Sequence, residues 1–136
     1  MYAEKYLPPI KFVKYAGKKV PYSLLTKKKS GKIQVSMNKG YKIQKIEVGT
    51  YGIDKEYKDY NPELEYKTVK NQQKIKIATT TRYASGVSSF EFGEYSYKSG
   101  YYDDYLFPVT AIRITYKDIK LGISETQEYF LYYEKE

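Results

Sequence analysis

The stretch Lys32-Ile33-Gln34-Val35-Ser36-Met37 alternates apolar and polar residues, and after Asn38-Lys39-Gly40 the alternation resumes at Tyr41-Lys42-Ile43. Successive side chains of a strand point to opposite faces, so a period of two marks a strand with one buried face. Two such runs around a short connection containing glycine read as a β-hairpin. Ile43 and Ile46 are three residues apart, after which Ile46 and Val48 alternate again. A strict period of two forbids that slip, so a bulge or bend is expected near Gln44-Lys45. Gly49 and Gly52 flank Tyr51 and read as a turn.

The same period recurs outward from this stretch. Lys74 to Thr81 places Ile75, Ile77 and Thr79 on one face. Ser89 to Tyr97 carries Phe90 and Phe92, then Tyr95 and Tyr97, with a change of phase at Gly93 that predicts a second bulge. Phe107 to Tyr116 sets Ile112, Ile114 and Tyr116 against Arg113 and Thr115, and Thr126 to Tyr133 is apolar on both faces. The expected core is Ile33, Val35, Ile43, Ile75, Ile77, Phe90, Ile112, Ile114, Tyr129 and Leu131. One stretch has helix signals: Asn61 as N-cap, Pro62 in the first turn, and Glu63 and Glu65 at the positive end of the dipole. Short strands at spacings near ten residues predict an all-β fold, an antiparallel β-sandwich of immunoglobulin-like or jelly-roll-like kind, with at most one short helix near residues 62–70. The Cys…Trp…Cys pattern of immunoglobulin domains is absent, so the resemblance is one of architecture.

With 136 residues the chain is of single-domain size. It has no Cys, His or Trp. Disulfides, Cys or His metal sites and histidine-activated nucleophiles are therefore excluded, and no cofactor is implied. The apolar fraction of 41% includes 19 Tyr, so the core must draw on tyrosine rings. There is no apolar run long enough for a membrane span, and residues 1–9 lack the apolar core of a signal peptide. A cytoplasmic location or an assembled particle is favoured, with a secreted protein whose signal has been removed as the rival. Few Asn, no Cys and abundant Lys are the composition of a heat-adapted source.

Charge divides the chain. Residues 1–45 hold 12 Lys and one acid, Glu4, whereas residues 46–136 hold 12 basic and 15 acidic groups. Residues 1–30 are read as a basic N-terminal arm or edge segment and residues 31–136 as a single β-sandwich domain. Lys18, Lys19, Lys27, Lys28, Lys29 and Lys32 form a basic patch, with Tyr15 and Tyr22 among them. Positive charge interleaved with aromatic rings is the pattern of sequence-independent nucleic-acid binding. Arg, which reads bases bidentately, occurs only twice, so a phosphate backbone or an acidic protein surface is the expected partner.

A second candidate surface is Tyr95-Ser96-Tyr97-Lys98-Ser99-Gly100-Tyr101-Tyr102-Asp103-Asp104-Tyr105. Tyr among Ser and Gly is the composition of antibody-type binding loops, where rigid rings give contact area at low entropic cost. Tyr95, Tyr97, Tyr101, Tyr102 and Tyr105 are accordingly expected to contact a partner, with the sharpest turn at Ser99-Gly100. The carboxylate pairs Asp103-Asp104 and Glu91/Glu94 are read as solvated turn residues rather than as acid–base machinery or a calcium site. Phosphate-binding glycine motifs are absent. The functional expectation is a non-enzymatic binding or assembly module, a subunit of a virion, filament or surface assembly with a protein partner or self-association. Sequence-independent nucleic-acid binding through the Lys-rich third is the alternative.

Overall fold

The computed structural model describes residues 7–51, 55–56, 64–80, 82–92, 95–106 and 108–134, with side chains described for 7–51, 64–80 and 108–134. Among the described residues every regular element is a strand. In chain order these are β1 (Ile10–Tyr15), β2 (Lys18–Lys19), β3 (Ser23–Thr26), β4 (Ser30–Met37), β5 (Tyr41–Tyr51), β6 (Lys55–Glu56), β7 (Leu64–Val69), β8 (Lys74–Lys76), β9 (Arg82–Phe92), β10 (Tyr95–Leu106), β11 (Val109–Asp118) and β12 (Ile123–Tyr133). They form a four-stranded sheet in the order β2-β1-β4-β8, a five-stranded sheet in the order β3-β12-β11-β5-β7, and a three-stranded sheet in the order β10-β9-β6.

The sheets are mixed rather than purely antiparallel. β3 runs parallel to β12 and β6 parallel to β9, while the remaining pairs are antiparallel. Hairpin alternation predicts antiparallel neighbours because a tight turn reverses the chain. β3 and β12 lie far apart in sequence, so no turn dictates their relative direction.

The expected hairpin at Asn38-Lys39-Gly40 is an arch instead. β4 belongs to the four-stranded sheet and β5 to the five-stranded one, so the turn carries the chain from one sheet to the other. The Tyr41 amide donates to the Asn38 carbonyl across the turn, and Gly40 supplies the φ of +100° that few other residues adopt. Asn38 anchors the arch to the start of β1: its amide donates to the Pro9 carbonyl and its Nδ2 to the Pro8 carbonyl. A hairpin and an arch share the same alternation, because each needs one apolar face per strand. They differ only in whether the two strands bond to each other.

Ile33 and Val35 of β4 and Ile46 of β5 belong to one buried cluster, along with Ile10, Val13 and Tyr15 of β1, Val20, Ile75, Ile77, Ile112, Ile114, Tyr116, Tyr129 and Leu131. Of the expected core, Ile43 is partly buried against this cluster, and Phe90 lies outside the residues whose side chains are described. The bulge expected near Gln44-Lys45 is present. Thr115 pairs with Lys45 and Tyr116 with Ile43, leaving Gln44 as the extra residue. β1 has the same device at Lys11, since Ile10 pairs with Met37 and Phe12 with Ser36. That bulge lets Ile10 and Val13, three residues apart, both face the core. The bulge predicted at Gly93 falls outside the described residues.

Leu64–Val69 forms a strand rather than a helix, pairing with β5 from Leu64↔Tyr51 to Val69↔Ile46; residues 61–63 lie outside the described residues. A helix of nine residues would be marginal by itself, and the open edge of β5 offers a full ladder of backbone bonds. Gly49 is likewise strand, not turn, while residue 52 lies outside the described residues. The Tyr66 ring covers Gly49 so closely that a Cβ there would stand 2.6 Å from it.

β4 is bonded along both edges. β1 pairs with it on one side. On the other side β8 bonds Ser30 to Lys32, the 70–73 turn exchanges backbone bonds with Ile33, and Asn71 then acts as a surrogate strand. The Val35 amide donates to Asn71 Oδ1 at 2.9 Å, and Asn71 Nδ2 donates to the Val35 carbonyl at 2.8 Å. Urea denaturation should show Ile114→Ala losing about 2–5 kcal/mol, as deletion of a fully buried aliphatic does. Asn71→Ala should lose about 1–3 kcal/mol, because it strips two partners from a buried backbone.

Candidate functional site

β1, β2, β4 and β8 together carry seven Lys and no Asp or Glu: Lys11, Lys14, Lys18, Lys19, Lys32, Lys74 and Lys76. The alternation that turns Ile33, Val35 and Ile75 inward turns Lys32, Gln34, Lys74 and Lys76 to the opposite face. Register then brings the cations together. Lys14 lies opposite Lys19, and Lys32 lies opposite Lys74. Like charges directly opposite one another destabilise a sheet, and among the described residues none of these lysines makes a salt bridge.

Lys27, Lys28 and Lys29 immediately precede β4 in the chain. Their side chains are exposed, but their backbone is held. The Lys28 amide donates to Thr26 Oγ1, Tyr15 Oη donates to the Lys28 carbonyl at 2.6 Å, and the Ile77 amide donates to the Lys29 carbonyl. Of the basic segment at residues 1–30, residues 7–30 are described. They enter both sheets, β1 inside the four-stranded one and β2 and β3 at sheet edges. Tyr15 does not serve as a stacking platform: it is fully buried, and burial pushes its phenol up to about 12. Tyr22 is exposed, edge-on to Phe130 of β12. On the basic sheet the aromatic ring is Phe12, half-buried, with Lys14 Nζ 4.7 Å from its centre. Lysine ammonium groups act as point charges, so this face suits a polyanion recognised by charge.

Register places Lys19 and Lys32 of the predicted patch on the same face as Lys14, Lys74 and Lys76, whereas Lys18 lies opposite the core-facing Tyr15 at the edge of the sheet. The signal for Lys74 and Lys76 was their alternation with Ile75; which sheet they would join was not encoded locally. A cleft of about 510 Å³ beside β8 is lined by Lys67, Lys74 and Lys76 with Glu65 among others, and so continues the positive character.

The five-stranded sheet is balanced. Lys42, Lys45, Lys67, Arg113 and Lys117 stand against Glu47, Glu65, Asp118, Glu125 and Glu128. Arg113 grips Glu47 through Nε and a second guanidinium nitrogen, both at 3.1 Å, and lies 3.7 Å over the Tyr66 ring. The Glu47 carboxyl is held below its ordinary range by that hydrogen bonding, against the opposing effect of burial. This network is a structural clasp over Gly49. Among the described residues no group of three acids could hold a metal.

The predicted tyrosine loop is a strand. Tyr95, Tyr97, Tyr101, Tyr102 and Tyr105 all lie in β10, paired antiparallel with β9 from Tyr95↔Phe92 to Leu106↔Arg82. The Ser99-Gly100 turn is a register shift between Lys98 and Gly100. Asp103 and Asp104 are strand residues opposite Ser85 and Ala84 rather than turn residues. A long partner strand overrides the turn preference of Ser and Gly, and the bulge absorbs what remains of it. The side chains of β10 lie outside those described.

Comparison with protein-family models, curated proteins and solved structures finds no match to this chain.

The Tyr15–Lys28 bond has a pH signature. A phenol raised on folding contributes stability that is fully present below its unfolded value of 10.0 and is lost as pH rises through about 12. Denaturation of Tyr15→Phe should therefore show a smaller loss of stability between those pH values than the parent. Near neutral pH it should cost about 0.5–1.5 kcal/mol for the missing hydrogen bond.

Proposed function

We propose that the chain is a non-enzymatic binding module whose lysine face carries a polyanion, the phosphate backbone of a nucleic acid, without reading its sequence. In this reading the four- and five-stranded sheets stack as a sandwich, which the buried cluster drawn from both sheets supports. Stacking leaves the outer face of the four-stranded sheet to the partner. The observation that carries the proposal is the segregation of charge: an acid-free sheet with seven lysines beside a sheet of balanced charge. An anion bound across the opposed pairs Lys14/Lys19 and Lys32/Lys74 would relieve their mutual repulsion. The near absence of Arg and the burial of Tyr15 favour backbone contact over base readout.

Protein assembly is the second reading. Leu25 and Tyr132 are paired across β3 and β12 and both are exposed, with Tyr22 exposed nearby. The partner-contact role of Tyr95, Tyr97, Tyr101, Tyr102 and Tyr105 belongs with this reading.

Fluorescence anisotropy with random-sequence single-stranded and duplex DNA tests the proposal. Affinity should fall steeply with salt. The triple change Lys14→Gln, Lys32→Gln, Lys74→Gln should flatten the log–log slope by roughly two to three units, at about 0.7–0.9 per lost contact. Lys45→Gln, on the five-stranded sheet and paired with Glu47, should leave the slope unchanged. Absence of binding at low salt, with association visible by sedimentation velocity, would transfer the function to protein assembly.

A further inference from the structure

Of the strongly exposed large apolar side chains among the described residues, Tyr22, Leu25 and Tyr132 lie around β3 and the end of β12, and the other four lie around the β11–β12 turn and the start of β1. Ile119 and Leu121, in the turn joining β11 to β12, and Ile123, the first residue of β12, are 59%, 66% and 47% exposed, and Leu7 is 52% exposed. Hydrogen bonds link the segments that carry them. The Ile119 amide donates to the Gly40 carbonyl, and Asn38 of the same arch donates to the carbonyls of Pro8 and Pro9, next to Leu7. Lys39, Lys42, Lys117 and Lys120 are exposed around this tip, and Lys42 and Lys117 lie directly opposite each other in the ladder.

We infer that this tip inserts into the interface of an anionic lipid surface. An apolar patch entering a lipid boundary must not carry unbonded backbone amides with it. Three amides of the turn are bonded: Ile119 donates to the Gly40 carbonyl, Leu121 to Asp118 Oδ1 at 3.1 Å, and Gly122 to the Asp118 carbonyl at 2.7 Å. Asp118 is thereby engaged in the turn. The tip projects aliphatic groups with no side-chain hydrogen-bonding groups of their own, which suit an acyl boundary. The surrounding lysines can lay their methylene stems along that boundary and set their ammonium groups among anionic headgroups. The turn is also preorganised, so little ordering accompanies docking. The lysine face of the four-stranded sheet is a separate surface, and the inference does not depend on it.

The chain has no Trp, so Leu121→Trp places a single reporter at the tip and Lys19→Trp places one on the four-stranded sheet. Each full-length variant is mixed with vesicles of phosphatidylcholine containing phosphatidylserine, and with phosphatidylcholine alone. The Leu121→Trp emission should move to the blue and be quenched by brominated acyl chains in the anionic vesicles, while that of Lys19→Trp stays unchanged. Adding Ile119→Ser and Ile123→Ser to Leu121→Trp should weaken partitioning by at least about tenfold. These positions are exposed, so far-UV circular dichroism should be unaltered. No shift at the tip, or a shift at Lys19→Trp alone, would overturn the inference. A blue shift without vesicles that grows with protein concentration would overturn it in favour of a second copy of the chain.

Discussion

The backbone of β4 is enclosed on both edges, by β1 on one side and by β8, the 70–73 turn and the Asn71 amide on the other. That enclosure sets its register, and the register has two consequences at once. Ile33 and Val35 enter the buried cluster, and Lys32 and Gln34 take the opposite face. A slip of one residue would exchange these sets, bringing a lysine into the core and aliphatics to water. Core and basic face are thus two sides of one alternation and cannot be moved independently.

The energetics favour the core by a wide margin. Burying a large aliphatic side chain contributes about 1.5–3 kcal/mol, whereas two like charges about 4 Å apart in water repel by only about 1 kcal/mol. A sheet that buries Ile10, Val13, Ile33, Val35 and Ile75 tolerates Lys14 against Lys19 and Lys32 against Lys74. The five-stranded sheet resolves its charges internally, with Arg113 clasped to Glu47 and stacked on Tyr66, and that ring in turn covers Gly49. One sheet is therefore electrostatically complete, and the other holds a positive field unopposed by any acid of its own.

Two bulges reconcile irregular spacing with flat pairing. Lys11 in β1 and Gln44 in β5 each absorb one residue, so that Ile10 with Val13, and Ile43 with Ile46, serve the same core. In each case the extra residue is polar and exposed, and the strand keeps its ladder on both sides of it. A slip of three residues between apolar positions is compatible with a single strand when the residue released carries nothing the core needs.

The amino-acid sequence by itself determined the all-β class, the alternation of β4, β5, β8, β11 and β12, and most of the core. Ile33, Val35, Ile75, Ile77, Ile112, Ile114, Tyr129 and Leu131 are buried as their alternation requires, and the bulge at Gln44 was legible as a break in that alternation. It also showed the lysine excess of the first third. Local signals misled where a partner strand outweighed them: at Gly49, at Leu64–Val69 and along β10, turn or helix preferences worth a few tenths to about 1 kcal/mol per residue yielded to a complete ladder of backbone bonds. Tertiary structure alone decided that Asn38–Gly40 is an arch between sheets, that β3 runs parallel to β12, and that Tyr15 is core. It also decided that Lys74 and Lys76 join Lys32 and Lys14 on one face. Alternation states which side of a strand is apolar, but it carries no information about which strand lies alongside, because the backbone groups that make that choice are the same in every residue except proline.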